Sequence, residues 1–196
     1  MNKRLAKISR KTRETEITCE LLLDGAGKSE INTGIGFFDH MLEGFAKHGF
    51  FDLYLTCKGD LRVDTHHTVE DTGIVLGEAI AEAAGDKKGI RRYGSFLLPM
   101  DEALIACAVD LCGRPYFNFD LKFPEERCGE MEMSMIREFF YALSYSSMMN
   151  LHLKQLDGIN SHHIAEAAFK AFAKALDMAS SFDDRLEDVL STKGAL

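Results

Sequence analysis

The pattern His-His-x-x-Glu occurs twice in this chain, at residues 66–70 and again at residues 162–166. Each copy opens a segment with the apolar spacing of a helix. Side chains four positions apart share one face of a helix, whereas adjacent side chains diverge by about 100°. His66 and Glu70 can therefore bind one metal ion together, while His67 must point elsewhere. Because the second copy repeats this arrangement, the pattern predicts a paired-metal site built from more than one helix or subunit.

Two further histidines outside these patterns bring the candidate ligands to two sets of four. A mixture of imidazole and carboxylate suits Mn, Fe, Co, Ni or Zn and not Ca. Four protein ligands with two open positions favour a six-coordinate ion such as Mn²⁺. A single histidine on a helix is usually an ordinary surface or core residue, but two copies of one pattern at matching places are harder to explain in that way. The candidate ligands are His40, His66, His67, Glu70, His152, His162, His163 and Glu166.

Basic side chains recur near predicted turns and are candidate anion ligands. Arg92 lies two residues before Gly94, Arg114 stands between a glycine and a proline, and Lys193 lies in a short polar tail. Lys170 follows Glu166 by four residues and so shares its helical face. The planar fork of arginine matches a phosphate group, and lysine offers a point charge. Taken singly, each of these residues is an ordinary solvated charge.

Composition excludes several other classes of protein. The net charge is -8 and the pI about 5.4, and no basic stripe is present, which argues against a nucleic-acid partner. No apolar segment is long enough to cross a membrane. The basic start, residues 1–8, is followed by no apolar run and so argues against a secretory signal. Five cysteines without a C-x-x-C pair indicate reduced thiols in a cytoplasmic protein.

The periodicity of the chain predicts two similar halves, at about residues 1–88 and 89–190, within one domain that spans 1–196. Each half reads as a strand-strand-helix-strand-helix unit of an α+β protein, an α/β sandwich with helices packed on sheet. The first half has strands at 15–23 and 51–57, with helices at 37–48 and from 66 to about 84. The second half has strands at 103–111, 115–123 and 149–153, with helices at 131–147 and from 162 to about 180.

Together these motifs resemble the signatures of the imidazoleglycerol-phosphate dehydratase family. The resemblance rests on residues 33–42, 64–71 and 158–171, supported by shorter matches at 99–104, 113–115 and 191–194. It covers nearly the whole chain. The departures are small: Phe38 stands where leucine is usual and Cys112 where serine is usual.

The resemblance implies helices packed between two sheets and a homo-oligomer of twenty-four subunits, with two Mn²⁺ ions in each active site at subunit contacts. One ion would take His66, Glu70, His152 and His163, and the other His40, His67, His162 and Glu166. It implies Glu14, His67 and Glu166 as catalytic residues. The substrate-binding residues that it implies are Glu14, His40, Arg92, Arg114, Lys170, Ser191 and Lys193.

The implied reaction is the dehydration of imidazole glycerol phosphate to imidazole acetol phosphate in histidine biosynthesis. The proton that leaves is on a carbon with no carbonyl beside it, so the imidazole ring must act as the electron sink. The C3 hydroxyl would depart and a base would remove the C2 proton. Glu14 and Glu166 are both candidate acid-base groups, and the residues themselves do not rank them.

Two other classes of protein fit the same residue types. A metal-dependent hydrolase of small phosphorylated molecules would also use two ions and basic residues, but it would release inorganic phosphate. A metal-storage or structural protein would use its ions only to join subunits. Such a protein would need no anion ligands, so Arg92, Arg114 and Lys170 would tolerate substitution.

Overall fold

A computed structural model describes residues 4–196; the first three residues of the basic start lie outside them. The described chain forms ten strands and four helices. In chain order they are β1 Leu5–Lys11, β2 Thr15–Leu22, β3 Ser29–Asn32, α1 Gly36–Gly49, β4 Asp52–Gly59, α2 His66–Ala84, β5 Tyr93–Met100, β6 Ala103–Asp110, β7 Tyr116–Asp120, β8 Arg127–Cys128, β9 Met131–Glu132, α3 Met135–Ser146, β10 Asn150–Asp157 and α4 Ser161–Ser180.

The two main sheets have the same strand arrangement. Their orders are β1-β2-β4-β3 and β5-β6-β10-β7. In each sheet the first three strands pair antiparallel and the last edge strand pairs parallel to its neighbour. Each parallel pair is joined through a helix, α1 or α3, as such a crossover requires.

The helices form a layer between the two sheets, and the predicted α+β class is confirmed. α2 packs on β1 and β2 and against α3, while α4 packs on β5 and β6 and against α1. Two glycines bring α2 close to α3. A Cβ at Gly77 would lie 2.6 Å from the Leu143 carbonyl oxygen, and one at Gly73 would lie 2.7 Å from that of Phe139. The sheet faces turned toward this layer supply alternate buried residues such as Ile17 and Leu21.

Each half contains more strand than the sequence predicts. The prediction lacks β1, β3, β5 and the short pair β8 and β9. The first half runs strand-strand-strand-helix-strand-helix, and the second half follows the same order with β8 and β9 added before α3. The helix predicted from residue 131 begins at Met135, because Met131–Glu132 pairs with Arg127–Cys128 across a turn in which Gly129 has φ 58°. The strand predicted at 115–123 is shorter, Tyr116–Asp120.

Within residues 4–196 the structure has no helix both long enough and apolar enough to cross a membrane. The longest helix, α4, has 20 residues and begins Ser161-His162-His163.

All five cysteines are free thiols, four of them buried.

Candidate metal centre

The second His-His-x-x-Glu pattern occupies the first turns of α4. Asn160 is the N-cap residue, and its side chain accepts hydrogen bonds from the backbone N–H groups of His162 and His163. This cap fixes where the helix begins and therefore which side chains share a face. His162 Nε2 lies 3.2 Å from Glu166 Oε2, one turn further on.

A third candidate ligand comes from α1. The Asp39 carboxylate accepts hydrogen bonds from the backbone N–H and the hydroxyl of Thr33, which ties the start of α1 to the preceding loop. The next residue, His40, places its Nε2 3.6 Å from Glu166 Oε2. One ligand atom each from His40, His162 and Glu166 lies within 4.8 Å of the others. Among the described residues this is the one group of three or more candidate ligands that close together.

Glu166 is a buried carboxylate with its two oxygens in different roles. The side chain of Lys170 lies 2.7 Å from Oε1, whereas Oε2 faces the two histidines. Burial alone would raise the pKa of Glu166, but the hydrogen bond and charge of Lys170 outweigh burial and the pKa is lowered. The residue is therefore an anion at neutral pH, and its Oε2 is directed at the two histidines. Two imidazole nitrogens and one carboxylate oxygen form a donor set that suits Mn²⁺ and its transition-metal neighbours.

The first pattern forms a second, smaller group at the start of α2. The Asp64 carboxylate accepts a hydrogen bond from the His66 backbone N–H at 2.8 Å. His66 Nε2 lies 3.3 Å from Glu70 Oε2. Both side chains are partly exposed and could share one ion.

The two remaining histidines of the patterns point toward other carboxylates. His67 Nδ1 lies 3.1 Å from both oxygens of Asp60, and its Nε2 lies 3.8 Å from Glu14. His163 Nδ1 lies 2.7 Å from Glu102. These hydrogen bonds are the main cause of the raised pKa of both imidazoles. Sequence reasoning missed Asp60 and Glu102; the available signal was that each carboxylate adjoins a strand end.

His152 lies apart from these groups. It is exposed on β10. The flanking Leu151 and Leu153 are buried against the helix layer, so His152 lies on the opposite face of the sheet. Its ring lies 5.4 Å from that of Tyr116, centroid to centroid. His152 therefore cannot join the ligands at the start of α4 within the same chain.

The candidate phosphate ligands divide between the middle of α4 and its end. Lys170 lies one turn beyond Glu166, at the middle of the helix. The Arg92 backbone N–H donates to the Ala179 carbonyl, and Ala179 lies 13 positions beyond Glu166, about 20 Å along the axis. The Arg92 guanidinium bonds to Asp110.

The polar tail lies at the Arg92 end of α4. The Arg92 guanidinium donates to the Leu190 carbonyl at 2.8 Å, which brings Ser191 and the exposed Lys193 to this end. Arg114 lies in the bend between β6 and β7, where its carbonyl accepts a hydrogen bond from the Asn150 side chain at the start of β10. Four of the five candidate phosphate ligands thus lie away from the group of His40, His162 and Glu166.

Comparison with known proteins identifies the family. The family model described as imidazoleglycerol-phosphate dehydratase matches residues 33–176. The chain belongs to the imidazoleglycerol-phosphate dehydratase family. It is 66% identical over 193 residues to the imidazoleglycerol-phosphate dehydratase of Lachnoclostridium phytofermentans, covering 98% of both chains. The predicted family and its enzyme class, the carbon-oxygen hydro-lyases, are confirmed.

Two solved imidazoleglycerol-phosphate dehydratases share the fold. The Staphylococcus aureus structure aligns with a TM-score of 0.83 at 36% identity, covering 91% of this chain and 99% of that one. The Pyrococcus furiosus structure, a complex with (S)-C348, aligns with a TM-score of 0.83 at 39% identity, covering 96% of this chain and all of that one. The likeness therefore extends across both halves.

The candidate site residues of this dehydratase chain fall into separate groups. The group of His40, His162, Glu166 and Lys170 is called the α4 part. The group of Glu14, His66, His67 and Glu70 is called the α2 part. The distal part contains His152, Arg92, Arg114, Ser191 and Lys193. His163 lies beside Glu102 at the start of α4.

Proposed function

We propose that this chain is a Mn²⁺-dependent dehydratase that converts imidazole glycerol phosphate to imidazole acetol phosphate in cytoplasmic histidine biosynthesis. The observation that supports metal dependence most strongly is the α4 part. There an ionised, buried carboxylate turns one oxygen toward two imidazole nitrogens. The residues that would hold the ions are the two predicted sets, one containing Glu70 and the other Glu166.

In this proposal, bound Mn²⁺ supplies positive charge that favours the deprotonated form of the substrate imidazole. Glu14 is the better of the two candidate acid-base groups. Its backbone N–H donates to the Thr12 hydroxyl, while its half-exposed carboxylate lies 3.8 Å from His67 Nε2. Both oxygens of Glu166 are engaged, one with Lys170 and the other with the two histidines. We therefore assign removal of the C2 proton to Glu14.

The basic residues would hold the phosphate end of the substrate. Arg114 offers an exposed guanidinium fork, and Lys193 and Lys170 offer point charges. Fixing the phosphate orients the carbon chain, so that the C3 hydroxyl and C2 proton meet the groups that act on them.

The separation of the parts supports a composite active site in a homo-oligomer, which we propose has twenty-four subunits. Arg92 is held about 20 Å from Glu166 along α4, and His152 lies on the opposite face of its sheet. One chain alone cannot bring these residues to one small substrate. Neither a nucleic acid nor a membrane is part of this proposal.

A product assay tests the proposed reaction. The full chain is incubated with imidazole glycerol phosphate and Mn²⁺, and ketone formation and inorganic phosphate are measured in parallel. We expect ketone without phosphate release, loss of activity with chelator, and recovery when Mn²⁺ is returned. Phosphate release would identify a hydrolase instead. An assembly that chelator dissociates, with no dehydratase activity to lose, would identify a structural metal protein.

A further inference from the structure

Two carboxylates make the same contact with two equivalent histidines. Asp60 binds Nδ1 of His67, and Glu102 binds Nδ1 of His163. In both cases Nδ1 is the ring atom that is engaged. Nε2 of His67 lies 3.8 Å from Glu14 and Nε2 of His163 lies 3.7 Å from Asp101, both beyond hydrogen-bond distance.

This contact selects one tautomer of each imidazole. An ionised carboxylate only accepts hydrogen bonds, so Nδ1 must carry the proton. The lone pair of a neutral ring then resides on Nε2, which is the form that can bind a metal. A carboxylate on the far nitrogen also fixes the ring plane and raises the basicity of the ligand atom.

The carboxylate that makes this contact comes from a different sequence position in each half of the fold. Glu102 immediately precedes β6, and the residue that immediately precedes the corresponding strand β2 is Glu14. Glu14, however, faces Nε2 of His67, not Nδ1. In the first half the Nδ1 partner is Asp60, which follows β4. The contact is therefore not a simple copy carried by duplication, and its presence in both halves points to a requirement on the histidines themselves.

We propose that Asp60 and Glu102 are positioning residues that hold His67 and His163 with Nε2 free for a metal ion. The inference rests on the proposed function, because it assumes that both histidines bind the metal. It adds to each ion one carboxylate that acts through a ligand without touching the metal.

The test measures Mn²⁺ binding by the metal-free full chain with Asp60→Asn and with Glu102→Gln. Each change keeps the size of the side chain but replaces an acceptor-only carboxylate with a neutral amide, which can also donate and so no longer fixes the tautomer. We expect each variant to bind Mn²⁺ about 10- to 100-fold more weakly at one site. The visible spectrum of the Co²⁺-loaded protein should also change, because one imidazole ligand is lost, and a merely structural role would leave that spectrum unaltered.

Matched controls exist at both helix starts. Asp64→Asn removes a carboxylate that binds the His66 backbone N–H, and Glu125→Gln removes one that binds the Ser161 backbone N–H. Neither carboxylate bonds to a histidine ring within residues 4–196, so both control variants should bind Mn²⁺ within about threefold of the parent. Test variants that behave like these controls would overturn the inference while leaving Mn²⁺ dependence intact.

Two further results separate the possible failures. A parent chain that forms the ketone but binds no Mn²⁺ would overturn the metal dependence, and this inference with it. Glu102 also accepts hydrogen bonds from the backbone N–H groups of Ile159 and Asn160, so Glu102→Gln could unfold the loop before α4. In that event the Asp60→Asn variant tests the inference by itself, since the Asp60 side chain bonds only to His67 in the described chain.

Discussion

Replacing Glu166 with glutamine tests the α4 part most directly. The amide matches the carboxylate in shape but carries no charge. In the structure, Oε2 is the atom that faces His40 Nε2 at 3.6 Å and His162 Nε2 at 3.2 Å. Oε1 neutralises Lys170 at 2.7 Å. The substitution therefore removes the anionic member of the group and leaves an unneutralised ammonium beside the ion.

The size of the effect follows from this geometry. Loss of a group that only orients a metal ligand typically weakens binding 10- to 100-fold. Glu166 is itself one of three ligands in the group, so we expect at least about 100-fold weaker Mn²⁺ binding there, or about 2.7 kcal/mol. Because other residues would hold the second of the two proposed ions, tight binding should fall from two ions to one for each chain.

Calorimetric titration of the metal-free protein with Mn²⁺ measures both quantities, and turnover is followed in the ketone assay. Turnover should fall with metal affinity. Glu82→Gln, the same change on an exposed position in the last turn of α2, should alter neither. Normal Mn²⁺ binding together with normal turnover in Glu166→Gln would show that the ligand assignment is wrong.

Three further changes have distinct expected outcomes. Arg114→Ala should raise KM for the phosphorylated substrate at least about tenfold with unchanged metal content, whereas Arg137→Ala on α3 should not; an unchanged KM would refute the phosphate role. Gly77→Ala should lower the free energy of unfolding by about 1–3 kcal/mol in urea titrations, because the new Cβ would lie 2.6 Å from the Leu143 carbonyl oxygen. Asp52 accepts two backbone hydrogen bonds that lower its pKa below 3.8, so it stabilises the fold above that pH. The stability difference between the parent and Asp52→Asn should therefore be full at pH 7 and shrink as the pH falls below about 3.8; a constant difference would contradict this.

The elements that the sequence predicts best are those whose own residues define them. α1, α2 and α4 lie within two residues of their predicted limits, since their apolar spacing and end residues such as Asn160 and Gly85 are local signals. The strands that were missed are all sheet edges, namely β1, β3 and β5 in the two main sheets and both strands of the β8-β9 pair. An edge strand has one neighbour and mostly exposed side chains, so pairing with a distant strand, and not its own pattern, makes it a strand.

The same distinction between local and long-range contacts applies to the candidate site. The pairing of His66 with Glu70 and of His162 with Glu166 depends on helix geometry, and both pairs lie within 3.3 Å. Contacts between elements are not local. Glu102 lies 61 positions before His163, and nothing in either sequence neighbourhood connects them.

The distance between Arg92 and Glu166 along α4 bears on genetics. A mutation at one of these residues alters only the part of the active site that the mutant chain itself contributes. If each active site combines parts from several chains, subunits defective at Glu166 and subunits defective at Arg92 would together form some sites in which every contribution is intact. Two alleles that are inactive alone would then restore growth without histidine when expressed together. Two alleles damaged at the same end of α4 would not, so complementation would reveal which chain supplies which side chain.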